Sequence, residues 1–260
     1  ALPSIEQELD RAADAMPGSS GLVRVGARPG SAWRYSGGGY LVLQLLIEEV
    51  TQQSFNDYMR YAVLEPLGMT RSTFLDPDPM RLVDFYGPDG SLAVHYRFTA
   101  SGAASLYTSA ADLTRFLQAQ TRANAERTVL TPATLEAMRM PEARLYGLPI
   151  WGLGPSLYAP NGAGGFVIGH DGANHPAINT TVRFDPATGD GLIVLSTGAA
   201  TLAHKIGGEW LYWKTGTVGL DTLALFDLPG ILILFGLGAL VIVIAGFWFA
   251  WRKRRRARKT

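Results

Sequence analysis

The chain contains no cysteine. That removes any disulfide framework, any thiolate nucleophile and any cysteine-based zinc site. Lysine is scarce as well: the four are Lys205, Lys214, Lys253 and Lys259, and none has a serine three residues before it. A Ser-x-x-Lys pair, which sets an amine beside a serine nucleophile, is therefore missing from these 260 residues. Position 1 is Ala rather than Met, and no basic n-region followed by an apolar h-region marks a signal peptide. The expectation is a processed N-terminus or a piece of a longer protein. No internal repeat is present.

Net charge is also nearly absent, with 23 Lys and Arg against 22 Asp and Glu, but the average hides a division. Residues 252–260 hold seven basic residues and no acid, which leaves 16 basic against 22 acidic residues over 1–251, a charge of −6. An acidic body argues against nucleic acid as a partner. Before the basic tail, 231–251 is a run of 21 residues without a charge. As a helix it spans about 31 Å, the hydrocarbon thickness of a bilayer. Trp248 and Trp251 fall near one boundary, as interfacial aromatics do, and Pro229 suits a first helical turn. The excess of cations puts the tail in the cytoplasm and 1–228 outside. The expected organisation is a domain over 1–213, a juxtamembrane linker over 214–229, a single transmembrane helix over 230–251 and a basic cytoplasmic tail over 252–260.

Hydrophobic residues at 47% and aromatics at 10% exclude a disordered body. Helical patterns cover 5–15, 40–50 and 55–64, the last stopped by Pro66 and Gly68. Ser109 is a candidate N-cap for a helix over 110–119 with Asp112 at N3, and Thr131-Pro132 opens another to about Met138. After Pro141 the pattern changes to strands. Residues 166–169 lead into His170, 178–184 alternates, and 185–191 connects as a hairpin into 192–196, followed by a last helix over 201–213. Helices first and antiparallel strands later predict an α+β fold.

Two stretches carry chemistry. Tyr35-Ser36-Gly37-Gly38-Gly39-Tyr40 is a glycine-rich turn into a helix. Ser36 reads either as a helix cap or as a functional hydroxyl. The nucleophile-elbow pattern fails because Arg34 stands where glycine is needed, and no lysine follows to make a phosphate loop. Tyr35 can act as a general base if cations lower its pKa. In Gly169-His170-Asp171-Gly172-Ala173-Asn174-His175, the two histidines match no common metal-ligand spacing, so no metal is expected. The glycines around His170 allow close approach by a ligand or another backbone. That stretch is placed at a strand end, just before a hairpin. Trp33, Tyr107, Trp151 and Tyr158 are candidates either for a pocket lining or for the core.

In order along the chain, these stretches resemble the β-lactamase-related serine hydrolases, which include class C β-lactamases, D-alanyl-D-alanine carboxypeptidases and related esterases. Residues 29–37 resemble the segment with the catalytic tyrosine. Glu65-Pro66-Leu67-Gly68-Met69-Thr70 is similar to a stretch that follows paired helices, and 103–113 to a third segment. Gly169-His170-Asp171-Gly172 resembles the third motif, followed by its hairpin.

The resemblance, over about 1–213, implies an antiparallel sheet flanked by helices, packed on a helical region with the active site between them. It implies an acyl-enzyme reaction on an ester or amide substrate, small-molecule or peptide, those of the cell wall included, with no cofactor. Tyr35 and His170 are then catalytic, with Ser36, Gly37, Gly172 and Asn174 at the substrate. The nucleophile of that family lies upstream of its tyrosine segment and would precede Ala1. Gly37 stands where β-lactamases usually have asparagine, which favours an esterase or a peptidase-like hydrolase. Lys214-Thr215-Gly216 matches the β-lactamase third motif literally, but no hairpin follows it. The alternative is a non-catalytic cell-wall or peptide-binding protein that keeps the cleft.

Overall fold

In the computed structural model, the described residues are 3–11, 21–95, 97–121, 129–174 and 177–219, with Ile242, Val243, Gly246 and Trp248 beyond them. The chain divides into two compact units, Ala1–Thr217 and Val218–Thr260. Among the described residues no helix is long and apolar enough to cross a membrane. The expected span over 230–251 lies almost wholly outside them.

Five of the seven described α-helices begin where a side chain meets an otherwise orphaned amide; Ser101–Ala104 and Leu202–Thr215 do not. Helix α1 (Ile5–Asp10) opens with a capping box in which Ser4 and Gln7 satisfy each other's backbone N–H. The rest of the expected 5–15 helix falls outside the described residues after Arg11. Helix α2 (Gly37–Thr51) starts three residues earlier than its apolar pattern suggests. The Ser36 hydroxyl accepts from Gly39 N at 3.1 Å, so the three glycines form the first turn rather than a loop. Helix α3 (Phe55–Met59) continues into a π-helical turn over Arg60–Leu64, which together fill the expected 55–64.

Helix α4 (Ser101–Ala104) is fixed to α2 by the buried Gln44, whose Oε1 accepts from Gly102 N at 2.9 Å. Ser109 caps helix α5 (Ala110–Gln118), and Thr131 caps helix α6 (Pro132–Met138). Asp112, 1% exposed, accepts from Arg71 N, the Ser72 hydroxyl and Arg115. It therefore ties the Arg71–Ser72 turn to α5, and beside it Leu64, Leu67, Met69 and Ala119 bury together.

A six-stranded antiparallel sheet follows, in simple sequential order. Its strands are β1 (Ala143–Leu145), β2 (Leu148–Trp151), β3 (Ser156–Pro160), β4 (Phe166–Asn174), β5 (Ile178–Phe184) and β6 (Gly191–Ser196). Side chains alternate between its faces. Val167 and Ala159 pack with Leu211 of helix α7 (Leu202–Thr215), while Ile168, Leu157 and Phe184 pack with Leu117 of α5. The fold is α+β, as the order of patterns implied.

Candidate active site

The alternation just described decides where each motif residue goes. Gly169 and Asp171 share the Val167 face, toward α7, and His170 shares the opposite face with Ile168. On that face His170 meets Tyr35, which lies one residue before the cap of α2, and Trp151, the last residue of β2. The Tyr35 and His170 rings are 6.2 Å apart between centroids, and Trp151 stands edge-on to both, at 5.7 and 5.4 Å. Trp33 completes the cluster, 5.3 Å from Trp151. A segment near residue 35 thus meets two strands more than a hundred residues further along, and Tyr35 is left 65% exposed.

His170 Nδ1 lies 2.6 Å from the backbone carbonyl of Asp171. A carbonyl only accepts, so Nδ1 carries the proton, and in the neutral ring Nε2 keeps its lone pair for an incoming group. Tyr35 makes no hydrogen bond and touches no cation among the described residues; its contacts are the two rings. Close by, burial and then the charge of Tyr35 push the Tyr40 phenol above its usual value.

The remaining site candidates divide. The Ser36 oxygen is engaged as the α2 cap. A Cβ at Gly37 would meet nothing within 4 Å, so local packing does not demand glycine there. At Gly172 a Cβ would overlap the Thr180 hydroxyl of β5, which supplies an internal reason for that glycine beside the expected substrate one. Gly169 has a still stronger one, since a Cβ would overlap the Val182 carbonyl. Asn174 ends β4 opposite Ile178, and His175 lies outside the described residues.

His170 sits inside β4 rather than at a strand end, because β4 runs on to Asn174 with β5 as partner. The β3 register stops at Ser156 opposite Gly169, so on that side 170–173 has no strand partner among the described residues. An extended substrate could align along such an edge.

Asp171 turns to the other face. Its carboxylate accepts from the Thr181 hydroxyl at 2.5 Å and from both Arg183 amino groups at 2.6 and 3.1 Å. Arg183 is fully buried, with its guanidinium 3.5 Å above the Tyr158 ring. Tyr158 is therefore core. Tyr107 pairs with His95, hydroxyl to Nε2 at 2.8 Å, a contact that short-range pattern does not reveal.

Lys214 ends α7 and reaches the β5–β6 turn, 2.5 Å from Asp190 and 3.6 Å from Asp185. The Asp190 hydrogen bond first, with both carboxylate charges assisting against slight burial, holds its amine above the usual lysine value. No group of three or more His, Asp or Glu among the described residues is suited to a metal.

Comparison with known proteins follows this geometry. Residues 7–217 match the family model described as Beta-lactamase. No curated protein sequence matches. Among solved structures, the chain is similar to the octameric penicillin-binding protein homologue from Pyrococcus abyssi, at 24% identity and TM-score 0.66, covering 84% of this chain and 49% of that one. It is also similar to the penicillin-binding protein from Bacillus halodurans, at 21% and 0.58, covering 70% and 56%. The D-amino acid amidase from Ochrobactrum anthropi SV3, complexed with D-phenylalanine, aligns at 22% and 0.54, covering 67% and 54%. At such identities the likeness is one of fold. The chain spans about half the length of these structures.

Proposed function

The chain belongs to the β-lactamase family, and on that premise we propose that it is part of a serine hydrolase that cleaves an ester or amide through an acyl-enzyme. The observation that carries the reading is the convergence of Tyr35, Trp151 and His170 on one sheet face beside the open edge of β4.

In the proposed reaction a serine oxygen adds to the substrate carbonyl and its proton passes to the Tyr35 oxygen. The tetrahedral adduct expels the alcohol or amine, which takes up that proton. Water then repeats the sequence, releases the acid and frees the serine. A phenol accepts the proton only if a cation lowers its pKa. No described cation touches Tyr35, so in this reading the cation comes with the serine, from a Ser-x-x-Lys segment preceding these residues. His170, through Nε2, accepts from the substrate and orients it, while Ser36, Gly37, Gly172 and Asn174 border the substrate.

One similar structure is by name an amidase, and an amide is one of the two bond types proposed. The uncharged run over 231–251 and the seven cations after it support anchoring in a lipid bilayer, hydrolase part outside and C-terminus in the cytoplasm. A second reading, a binding protein that keeps this cleft without chemistry, is favoured by one observation, the missing Ser-x-x-Lys.

The test is hydrolysis of an activated ester by the full-length protein. His170→Ala is expected to lower kcat/KM by about 100-fold, and Lys214→Ala to leave it within about threefold, since Lys214 is bound to Asp190. Full activity in His170→Ala with loss in Lys214→Ala reverses the assignment. No turnover by a full-length protein that carries Ser-x-x-Lys leaves the binding reading.

A further inference from the structure

The four rings of the site differ in what they offer a substrate. Tyr35 and His170 supply an oxygen and a nitrogen. Trp33 and Trp151 supply little but area. Trp33 is 42% exposed although its ring packs on Trp151. Exposed indole area beside a reacting centre is suited to a flat or branched apolar group, because aromatic faces gain from stacking as well as from dehydration.

The four rings themselves carry no charged contact: among the described residues, no Lys, Arg, Asp or Glu side chain makes a hydrogen bond, ion pair or ring contact with Trp33, Tyr35, Trp151 or His170. Arg34, between Trp33 and Tyr35 in the chain, is exposed, and Arg183, opposite Gly169 in the β4–β5 register, lies on the other face of the sheet over Tyr158. A substrate carboxylate laid flat against the indoles would be dehydrated by faces that offer it no ion pair, which is costly.

Trp151 is also held rigidly. Its carbonyl accepts from Glu142 N at 2.9 Å, Gly152 N donates to the Pro155 carbonyl at 2.9 Å, and Leu153 N donates to the Met138 carbonyl at 2.9 Å. Gly152 runs so close to the end of α6 that a Cβ would overlap the Met138 carbonyl. The indole therefore hangs from a backbone clamped on both sides. Such a platform binds a ligand without first having to be ordered.

We propose that Trp151, backed by Trp33, binds a flat or branched apolar acyl group of an uncharged ester or amide beside Tyr35 and His170, which makes Trp151 the specificity-determining residue. This rests on the hydrolase reading for the reaction but not for the binding face.

The test compares ethyl thioesters of phenylacetic, acetic and succinic acid on the full-length protein, so that the leaving group stays constant. The phenylacetyl ester is expected to exceed the acetyl ester in kcat/KM by about tenfold, with the succinyl ester the poorest of the three. Trp151→Ala brings the phenylacetyl-to-acetyl ratio near one. Trp151→Phe keeps most of it, and Trp33→Ala lowers it by about threefold. A ratio near one in the parent protein, or one unchanged in both Trp151→Ala and Trp33→Ala, overturns the proposal and leaves the hydrolase reading standing. If no thioester turns over, calorimetric titration with phenylacetamide decides. Binding that is lost in Trp151→Ala supports the apolar face while the hydrolase reading fails. The absence of binding overturns both.

Discussion

Arg183→Met is expected to destabilise the fold by about 3 kcal/mol at neutral pH. Methionine fills much of the volume, so the loss is electrostatic rather than a cavity. Arg183 is fully buried between β5 and α7, and a Cβ on Gly207 of that helix would lie 3.4 Å from its guanidinium carbon. Without it the Asp171 carboxylate, 21% exposed, keeps the Thr181 hydroxyl as its one side-chain hydrogen-bond donor among the described residues. Removing one member of a buried pair leaves the other charge uncompensated, which costs about 3–5 kcal/mol. The residual exposure of Asp171 places this case at the lower end.

The pH dependence has a definite sign. Burial is the largest influence on Asp171 and pushes its carboxyl up, but the Arg183 hydrogen bonds and charge, with Thr181 and then His204, outweigh it and hold the carboxyl below the usual value. A lowered value contributes stability above the unfolded value of about 3.9, and that stability is lost as pH falls through the folded value. In Arg183→Met the unpaired carboxylate gains by protonation instead. The urea midpoint difference between parent and variant is thus largest at pH 7 and shrinks toward pH 4. Adding Asp171→Asn to Arg183→Met recovers part of the loss. Equal midpoints at pH 7, or a gap that widens on acidification, would contradict the role given to this pair.

Tyr35→Phe in the full-length protein is expected to lower kcat/KM by about 100- to 10,000-fold, the range for a group that moves a proton in the transition state. Stability is expected to change by less than about 0.5 kcal/mol. The ring contacts with Trp151 and His170 persist in phenylalanine, and the hydroxyl makes no hydrogen bond among the described residues. Steady-state kinetics with a thermal melt separate the two effects. A variant within threefold of the parent removes Tyr35 from the chemistry.

Much of the fold was legible from local pattern. Ser109 and Thr131 cap helices because their hydroxyls stand three residues before an amide that needs an acceptor. Strand β5 coincides with the alternating 178–184 because one of its faces lies on α7. Errors came where glycine has two meanings. Gly37 to Gly39 read as a turn before a helix, yet with Ser36 as cap they are its first turn. The stretch from Gly169 read as a strand end, yet β4 runs on to Asn174 with β5 as its partner, and Gly172 within it leaves room for the Thr180 hydroxyl.

The site was half legible. Tyr35 and His170 could be named from their glycine-flanked settings, but Trp151 stayed one of four aromatics open between pocket and core, since only the register of β2, β3 and β4 brings it to them. The same applies to Lys214, whose triplet looks functional until Asp190, 24 residues away, is seen to hold it. Period two alone would have shown that Asp171 faces away from His170.

The most direct test of the account is to map the covalent adduct formed when the full-length protein is treated with a slowly released acylating agent such as a penicillin, by peptide mass spectrometry. The account predicts an acylated serine in a Ser-x-x-Lys sequence preceding these 260 residues, formed markedly more slowly in Tyr35→Phe. Acylation of a serine within them, Ser36 above all, or of none in a protein that carries that sequence, would contradict it.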